Sequence, residues 1–181
     1  MKPAVPGWPI VANALGYQAV WFACIYGARE ALAWPGPIVF CVFAALVLSV
    51  GGKRSADLRA LMIAVPIGFM LDSAFALSGW VTYWQPGPMV GAPIWIGAIW
   101  AAFALTLNHS LRFLAGRPWT TAIFGAIGGP CAYAAASELG AISFAVPDVI
   151  VLSALSLAWA IVLPVLVELN RRTSLDGPVL A

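Results

Sequence analysis

Few residues in this chain could do chemistry, and two of them lie in long apolar stretches. Asp72 sits in Gly68-Phe-Met-Leu-Asp-Ser-Ala-Phe-Ala-Leu-Ser-Gly-Trp80, and His109, the single histidine, sits in Asn108-His-Ser110. An aspartate near the bilayer centre costs about 2.5–3.5 kcal/mol on insertion scales, so a protein partner or a wet cavity must accompany it. Asp72 is therefore a candidate for handling protons, binding a polar headgroup or holding a cation. Its structural alternative is a hydrogen-bonded buckle between helices. His109 is a candidate general base or a proton relay to Asp72. Its plainer role is an interfacial histidine bonding a carbonyl or a lipid phosphate. These two residues are the catalytic candidates. One histidine cannot make a histidine-rich metal site, and the chain has no His-x-x-x-His or Glu-x-x-His pair, so no metal is expected. No Gly-x-Ser-x-Gly elbow, phosphate loop or Rossmann fingerprint is present, so no cofactor is expected.

A second set could build a binding site: Trp80, Trp84, Trp95, Tyr133 and Glu138, with Asp72 deeper on the same assembly. Aromatic walls with a few convergent polar groups are the usual makeup of a ligand pocket. The ordinary alternative for the tryptophans is an interfacial belt, in which Trp8, Trp34 and Trp119 would share. Gly128-Gly129-Pro130 weakens a helix twice over and predicts a kink or a break near mid-depth. Carbonyls freed there must be buried in protein or line a wet cavity. The expectation is a cavity between the third, fourth and fifth spans, opening outward and floored by Asp72 and the break, with His109 outside it toward the cytoplasm. Asn13, Gln18 and Asn108 read as structural polar residues, joining helices by hydrogen bonds worth about 0.6–2 kcal/mol.

The elements that must position these groups follow from composition. The 181 residues are 62 % hydrophobic and only 9 % charged, with a mean hydropathy of +0.94. A soluble domain carries about 25 % charged residues, so an all-α, polytopic integral membrane protein is expected. Spans of about 20 residues are placed at Trp8–Ala28, Ala33–Val50, Ala60–Trp84, Pro93–Ala115, Thr120–Phe144 and Val149–Asn170. Residues 1–170 then form one six-span transmembrane domain, a six-helix bundle, and residues 171–181 a short cytoplasmic tail containing Gly177-Pro178. The first run is longer than a usual signal core and is interrupted by Asn13 and Gln18. It reads as a retained helix, although Ala31-Leu-Ala33 resembles a cleavage site.

Charge sets the orientation. Lys2, Lys53, Arg54, Arg59, Arg112, Arg117, Arg171 and Arg172 fall on one side of the six spans and Arg29 alone on the other. Basic loops stay cytoplasmic, so both termini are expected there. The net charge of +2 is a topology signal and implies no nucleic acid. Cys24, Cys41 and Cys131 lie in apolar runs without metal-type spacing and read as packing residues. On the third span Gly68, Asp72, Phe75 and Gly79 share a face, and on the fifth Gly125, Gly129, Tyr133 and Ser137 do. Small residues on those faces permit close helix approach. On the fourth, Trp95, Ile99, Ala102, Thr106 and His109 form one stripe.

Four segments carry a family resemblance: Asn13–Ala28 (NALGYQAVWFACIYGA), Gly68–Trp80 (GFMLDSAFALSGW), Ala92–Leu114 (APIWIGAIWAAFALTLNHSLRFL) and Gly125–Ala141 (GAIGGPCAYAAASELGA). They resemble small bacterial multi-spanning proteins grouped as domain of unknown function 2878. The family commonly has a glycine after the Tyr–Ala pair, where this chain has Ala135 and Ala136. The resemblance implies six spans and the cell inner membrane, and it names no activity. Relatives often stand beside fatty-acid-modifying enzymes of the cyclopropane-synthase type, which implies a lipid-related role. Three functions stay open: binding or acting on membrane lipid or fatty-acid derivatives; carrying a small solute or serving as a substrate-binding membrane subunit; and assembling with other membrane proteins as a structural partner of a membrane enzyme. A cavity open sideways to lipid favours the first, one reached from water the second, and a solid core the third.

Overall fold

The computed structural model describes residues 7–84 and 91–175. Lys2, the turn at 85–90 and Gly177-Pro178 lie outside the described residues, as do the side chains of Trp8, Ser174 and Leu175. Six α-helices account for most of the chain: α1 (Gly7–Arg29), α2 (Pro35–Val50), α3 (Arg54–Leu77), α4 (Ile94–Leu107), α5 (Pro118–Glu138) and α6 (Asp148–Leu175). Three contain stretches long and apolar enough to cross a membrane: Pro9–Arg29, Arg54–Leu77 and Asp148–Thr173. The apolar α2 and α4 are shorter, at 16 and 14 residues. At 21 residues α5 has the length, but its Gly, Pro, Ser and Thr dilute its apolar character.

The central element is α4. Eleven of its fourteen residues are buried, which is what a helix apolar all round requires. It packs against α1, α2 and α3, while α5 lies mainly on α6 and α3 also meets α6. Its alanines (Ala98, Ala101, Ala102 and Ala104) are buried in this crowded position.

Several boundaries differ from the sequence expectation. α3 stops at Leu77, and Gly79 is an exposed turn residue beyond it with nothing packed against it. Of the predicted third-span face, only Gly68 and Asp72 are buried. Trp80 to Trp84 are not helical: Val81–Tyr83 forms strand β1, paired antiparallel with β2 (Ile142–Phe144). The register sets Val81 against Phe144, Thr82 against Ser143 and Tyr83 against Ile142. Val-Thr-Tyr and Ile-Ser-Phe are β-prone triplets with alternating polarity, so Val81 and Tyr83 turn inward and Thr82 outward. This strand pair ties the α3–α4 connection to the α5–α6 connection at one end of the bundle.

α4 ends at Leu107, followed by a turn and a 3-10 segment at Arg112–Leu114. Asn108 and His109 therefore stand beyond the helix, and the predicted stripe ends at Thr106. Nor is α5 broken. It runs continuously through Pro130, although the proline removes the hydrogen bond that the Ala126 carbonyl would accept. Ser156 of α6 replaces it, its Oγ donating to the Ala126 oxygen at 2.8 Å. The expected break thus becomes a crosslink between two helices.

Candidate functional site

Asp72 lies five residues before the end of α3, about 7–8 Å from Leu77 at 1.5 Å per residue. It is closer to the strand-pair end of the bundle than to the middle of the helix, where the sequence places it. Its side chain is 1 % exposed. Three donors converge on the carboxylate. Tyr83 Oη donates to Oδ1 at 2.6 Å, Trp100 Nε1 donates to Oδ2 at 2.6 Å, and Tyr133 Oη also donates to Oδ1. An indole N–H can only donate, so Oδ2 must be an acceptor here. The described residues provide Asp72 with no salt bridge. Its carboxyl oxygens are met by hydrogen bonds alone among the described residues.

Each donor has a structural cause. The pleat of β1 aims Tyr83 inward. Tyr133 sits one turn beyond Gly129 on the face of α5 that meets α6. Trp100 is admitted by Gly68, where a Cβ would fall 1.8 Å from the indole ring. Trp100 then stacks on Trp159 of α6 at 4.9 Å between centroids and 11° between planes. Trp159 is in turn admitted by Gly129, whose Cβ would lie 2.3 Å from that ring. The two glycines therefore position an aromatic pair, and the pair holds one end of the carboxylate. Trp159 Nε1 is buried without a hydrogen-bond partner among the described residues.

Asp72, Tyr83, Trp100 and Tyr133 border a cavity of about 790 Å³. Its walls come from α1 (Tyr17, Trp21), α4 (Trp95, Phe103) and α5 (Gly128, Ala132). The predicted walls were the third, fourth and fifth spans; α1 takes the place expected of α3, which contributes Asp72 alone. The direction of opening also differs. α1 and α5 barely touch, and surface-exposed residues along both helices (Val11, Leu15 and Phe22; Phe124, Gly128 and Cys131) line the space between them. The cavity is a groove open sideways between α1 and α5.

The remaining candidates fall into place around it. Trp95 and Gln18 line the groove; Trp95 Nε1 donates to the Trp84 carbonyl at 3.0 Å. Trp80, Trp84 and Glu138 do not line it, and Trp84 and Glu138 are exposed near the strand pair. Arg29 pairs with its neighbour Glu30 at 3.6 Å and not with Glu138. Asn13 joins α1 to the end of α4. Its Nδ2 donates to the Leu105 carbonyl at 3.2 Å, and its Oδ1 accepts from Ser110 Oγ at 2.7 Å.

His109 does not reach Asp72. Its Nε2 lies 3.0 Å from Oδ2 of Asp57, an aspartate 0 % exposed in the first turn of α3. Fifteen residues of helix separate Asp57 from Asp72, about 22 Å, which removes the proposed relay between His109 and Asp72. Asn108 completes this second polar cluster. Its Nδ2 donates to Asp57 at 3.0 Å, its Oδ1 accepts from Asn170 of α6 at 2.9 Å, and its carbonyl accepts from Lys53. The cluster clasps the ends of α3, α4 and α6 together.

Tyr83, Trp100, Trp159 and Asp57 are not among the residues whose type and spacing point to a site. Tyr83 was assigned to a helix, and Asp57 was hidden among the charges of Lys53-Arg54 and Arg59. The signal for Trp100 was Gly68, a glycine one turn before an intramembrane carboxylate.

The family described as Protein of unknown function (DUF2878) matches residues 10–165. The chain belongs to that family. The DUF2878 match contains every groove-lining residue and both buried aspartates, and it stops before Asn170. No curated protein and no solved structure matches the chain.

Proposed function

We propose that this DUF2878 protein is a six-span protein of the inner membrane that holds a lipid or fatty-acid derivative in the groove between α1 and α5. The observation that carries this reading is the sideways opening. A 790 Å³ space with apolar walls, entered between two helices through an apolar surface, suits a ligand that arrives from the bilayer. A small polar solute would need an entrance facing water. The buried Asp72 cluster gives the groove a buried polar point, where a hydroxyl or amine of the ligand could be recognised. Intramembrane ionisable groups that face a cavity typically mark such pathways.

A direct test fills the space. Ala135→Trp and Ala14→Trp place bulk on opposite walls of the groove. Lipid retained by the purified protein, measured by mass spectrometry after delipidation in mild detergent, should fall several-fold in both. Undiminished lipid in two variants that still elute as folded protein would end the proposal.

Six spans follow from reading the shorter α2, α4 and α5 as membrane-crossing with the three longer helices. The charges support it. Lys53, Arg54, Arg112, Arg117, Arg171 and Arg172 lie at the end of the bundle closed by the Asp57 cluster, and Arg29 lies at the end with the strand pair. The basic end is placed in the cytoplasm. Reporter fusions after Ala31, Pro88 and Pro147 should therefore report the outer side. A cytoplasmic signal from any one of them would contradict this topology.

A further inference from the structure

The face that α1 turns to the groove carries polar groups at mid-helix. Tyr17, Gln18 and Trp21 line the cavity, within about one turn of each other near the middle of Gly7–Arg29. Each side chain brings a donor: a phenol O–H, an amide N–H and an indole N–H. Among the described residues none of the three has a hydrogen-bond partner. Polar groups inside spans usually join helices. Gln18 was expected to do so, but α1 and α5 barely touch, and the groove lies where the partner helix would be. Elsewhere on the walls the polar groups are engaged. Trp95 Nε1 donates to the Trp84 carbonyl at 3.0 Å, Thr106 Oγ1 to the Phe103 carbonyl at 2.6 Å and Ser110 Oγ to Asn13 Oδ1 at 2.7 Å.

At Asp72 the polarity is reversed. Tyr83, Tyr133 and Trp100 all direct their protons to the carboxylate. What this cluster has left to offer a ligand is oxygen lone pairs, on the carboxylate and on the two phenols. The groove thus presents acceptors at one point and donors at another. The two points are neighbours. The Phe103 ring meets Trp100, which holds Asp72, at 5.7 Å and meets Tyr17 at 6.0 Å between centroids. Among the described residues no lysine or arginine lines the groove. A carboxylate ligand would therefore meet the Asp72 carboxylate and no counter-charge.

We infer that Tyr17, Gln18 and Trp21 bind the carbonyl of an acyl ester whose free hydroxyl donates at the Asp72 cluster, a neutral lipid of the monoacylglycerol class. This rests on the lipid reading above and adds the chemical class of the ligand. An ester carbonyl only accepts, which matches the three donors on α1. A hydroxyl donates, which matches the oxygens left at Asp72. The acyl chain then continues along the apolar wall toward Leu111 and Phe113.

The test offers full-length protein, delipidated in mild detergent, a monoacylglycerol and the corresponding monoalkylglycerol ether, with chains of equal length. The two differ only in the carbonyl, and bound lipid is counted by native mass spectrometry. The ester should be retained about five-fold over the ether, the ratio that one net hydrogen bond supports. Y17F/Q18L should bring the ratio close to one by lowering retention of the ester, and the unfolding midpoint should not move, because neither side chain holds α1 to another helix. An unchanged ratio in that variant, or a midpoint loss as large as that of Asp72→Leu, would overturn the inference. The fatty acid methyl ester, which keeps the carbonyl and lacks the hydroxyl, and the free fatty acid should both be retained less than the monoacylglycerol. Equal or better retention of either would overturn it, the first by removing the hydroxyl contact and the second by assigning the α1 donors to a carboxylate. Equal retention of ester and ether by the wild-type protein would overturn it while leaving the groove as a lipid site. Retention of none of the four would remove the groove reading as well.

Discussion

Gly68→Val should destabilise the bundle by at least about 3 kcal/mol, the upper end of the usual cost of overpacking a core. A Cβ at position 68 would already stand 1.8 Å from the Trp100 ring, so even alanine requires a shift. The indole cannot swing away freely, because Trp159 is stacked on its face and Phe103 meets it edge-on at 5.7 Å. Either α3 separates from α4 or Trp100 releases Asp72. Thermal unfolding in detergent should show a large drop in midpoint for Gly68→Val and a smaller one for Gly68→Ala. Gly97→Ala is the control. A Cβ there meets only Phe69 at ordinary contact distance, so it should change little. A Gly68→Val protein as stable as the wild type would mean that α3 and α4 do not pack as described.

The contrast between these glycines shows what a sequence can reveal about such a fold. Gly68, Asp72, Gly125, Gly129 and Tyr133 were legible as close-packing faces because helical period and small side chains are local properties. The aspartate was legible because hydrocarbon penalises charge wherever it occurs. Its partners were not. Tyr83 reaches Asp72 only because two three-residue strands, about sixty residues apart in sequence, pair across the end of the bundle. Neither triplet is long enough to announce itself inside an apolar run. The kink signal at Pro130 was real as local chemistry, but Ser156 on another helix satisfied the freed carbonyl. His109 misled for a related reason. Its helical stripe assumed that α4 continued to Ala115, whereas the helix ends eight residues earlier and passes the histidine to Asp57. The lateral groove is a property of two helices that fail to meet, and no local pattern records a missing contact.

Asp72→Leu is expected to cost more than Asp72→Asn, and the reason lies in the number of donors. Leucine would leave Tyr83, Tyr133 and Trp100 with buried donors and nothing to accept them, each orphan costing about 1–3 kcal/mol. Asparagine keeps one acceptor oxygen, which can serve the two tyrosines that share Oδ1. Its amide nitrogen would then face the Trp100 N–H, donor against donor, so one contact is lost and two survive. The order of unfolding midpoints should be wild type, then Asp72→Asn, then Asp72→Leu. A fourth protein separates a structural carboxylate from a ligand-binding one. Asp72→Leu combined with Tyr83→Phe and Tyr133→Phe removes two of the three orphaned donors, and replacing both sides of a buried hydrogen bond by apolar groups can be nearly neutral. The triple variant should recover much of the stability lost by Asp72→Leu. If it also recovers wild-type lipid retention, the cluster is only a buckle between α3, α5 and the strand pair. If stability returns without the lipid, Asp72 and its tyrosines form the polar point that the ligand recognises, which is the outcome the groove geometry favours.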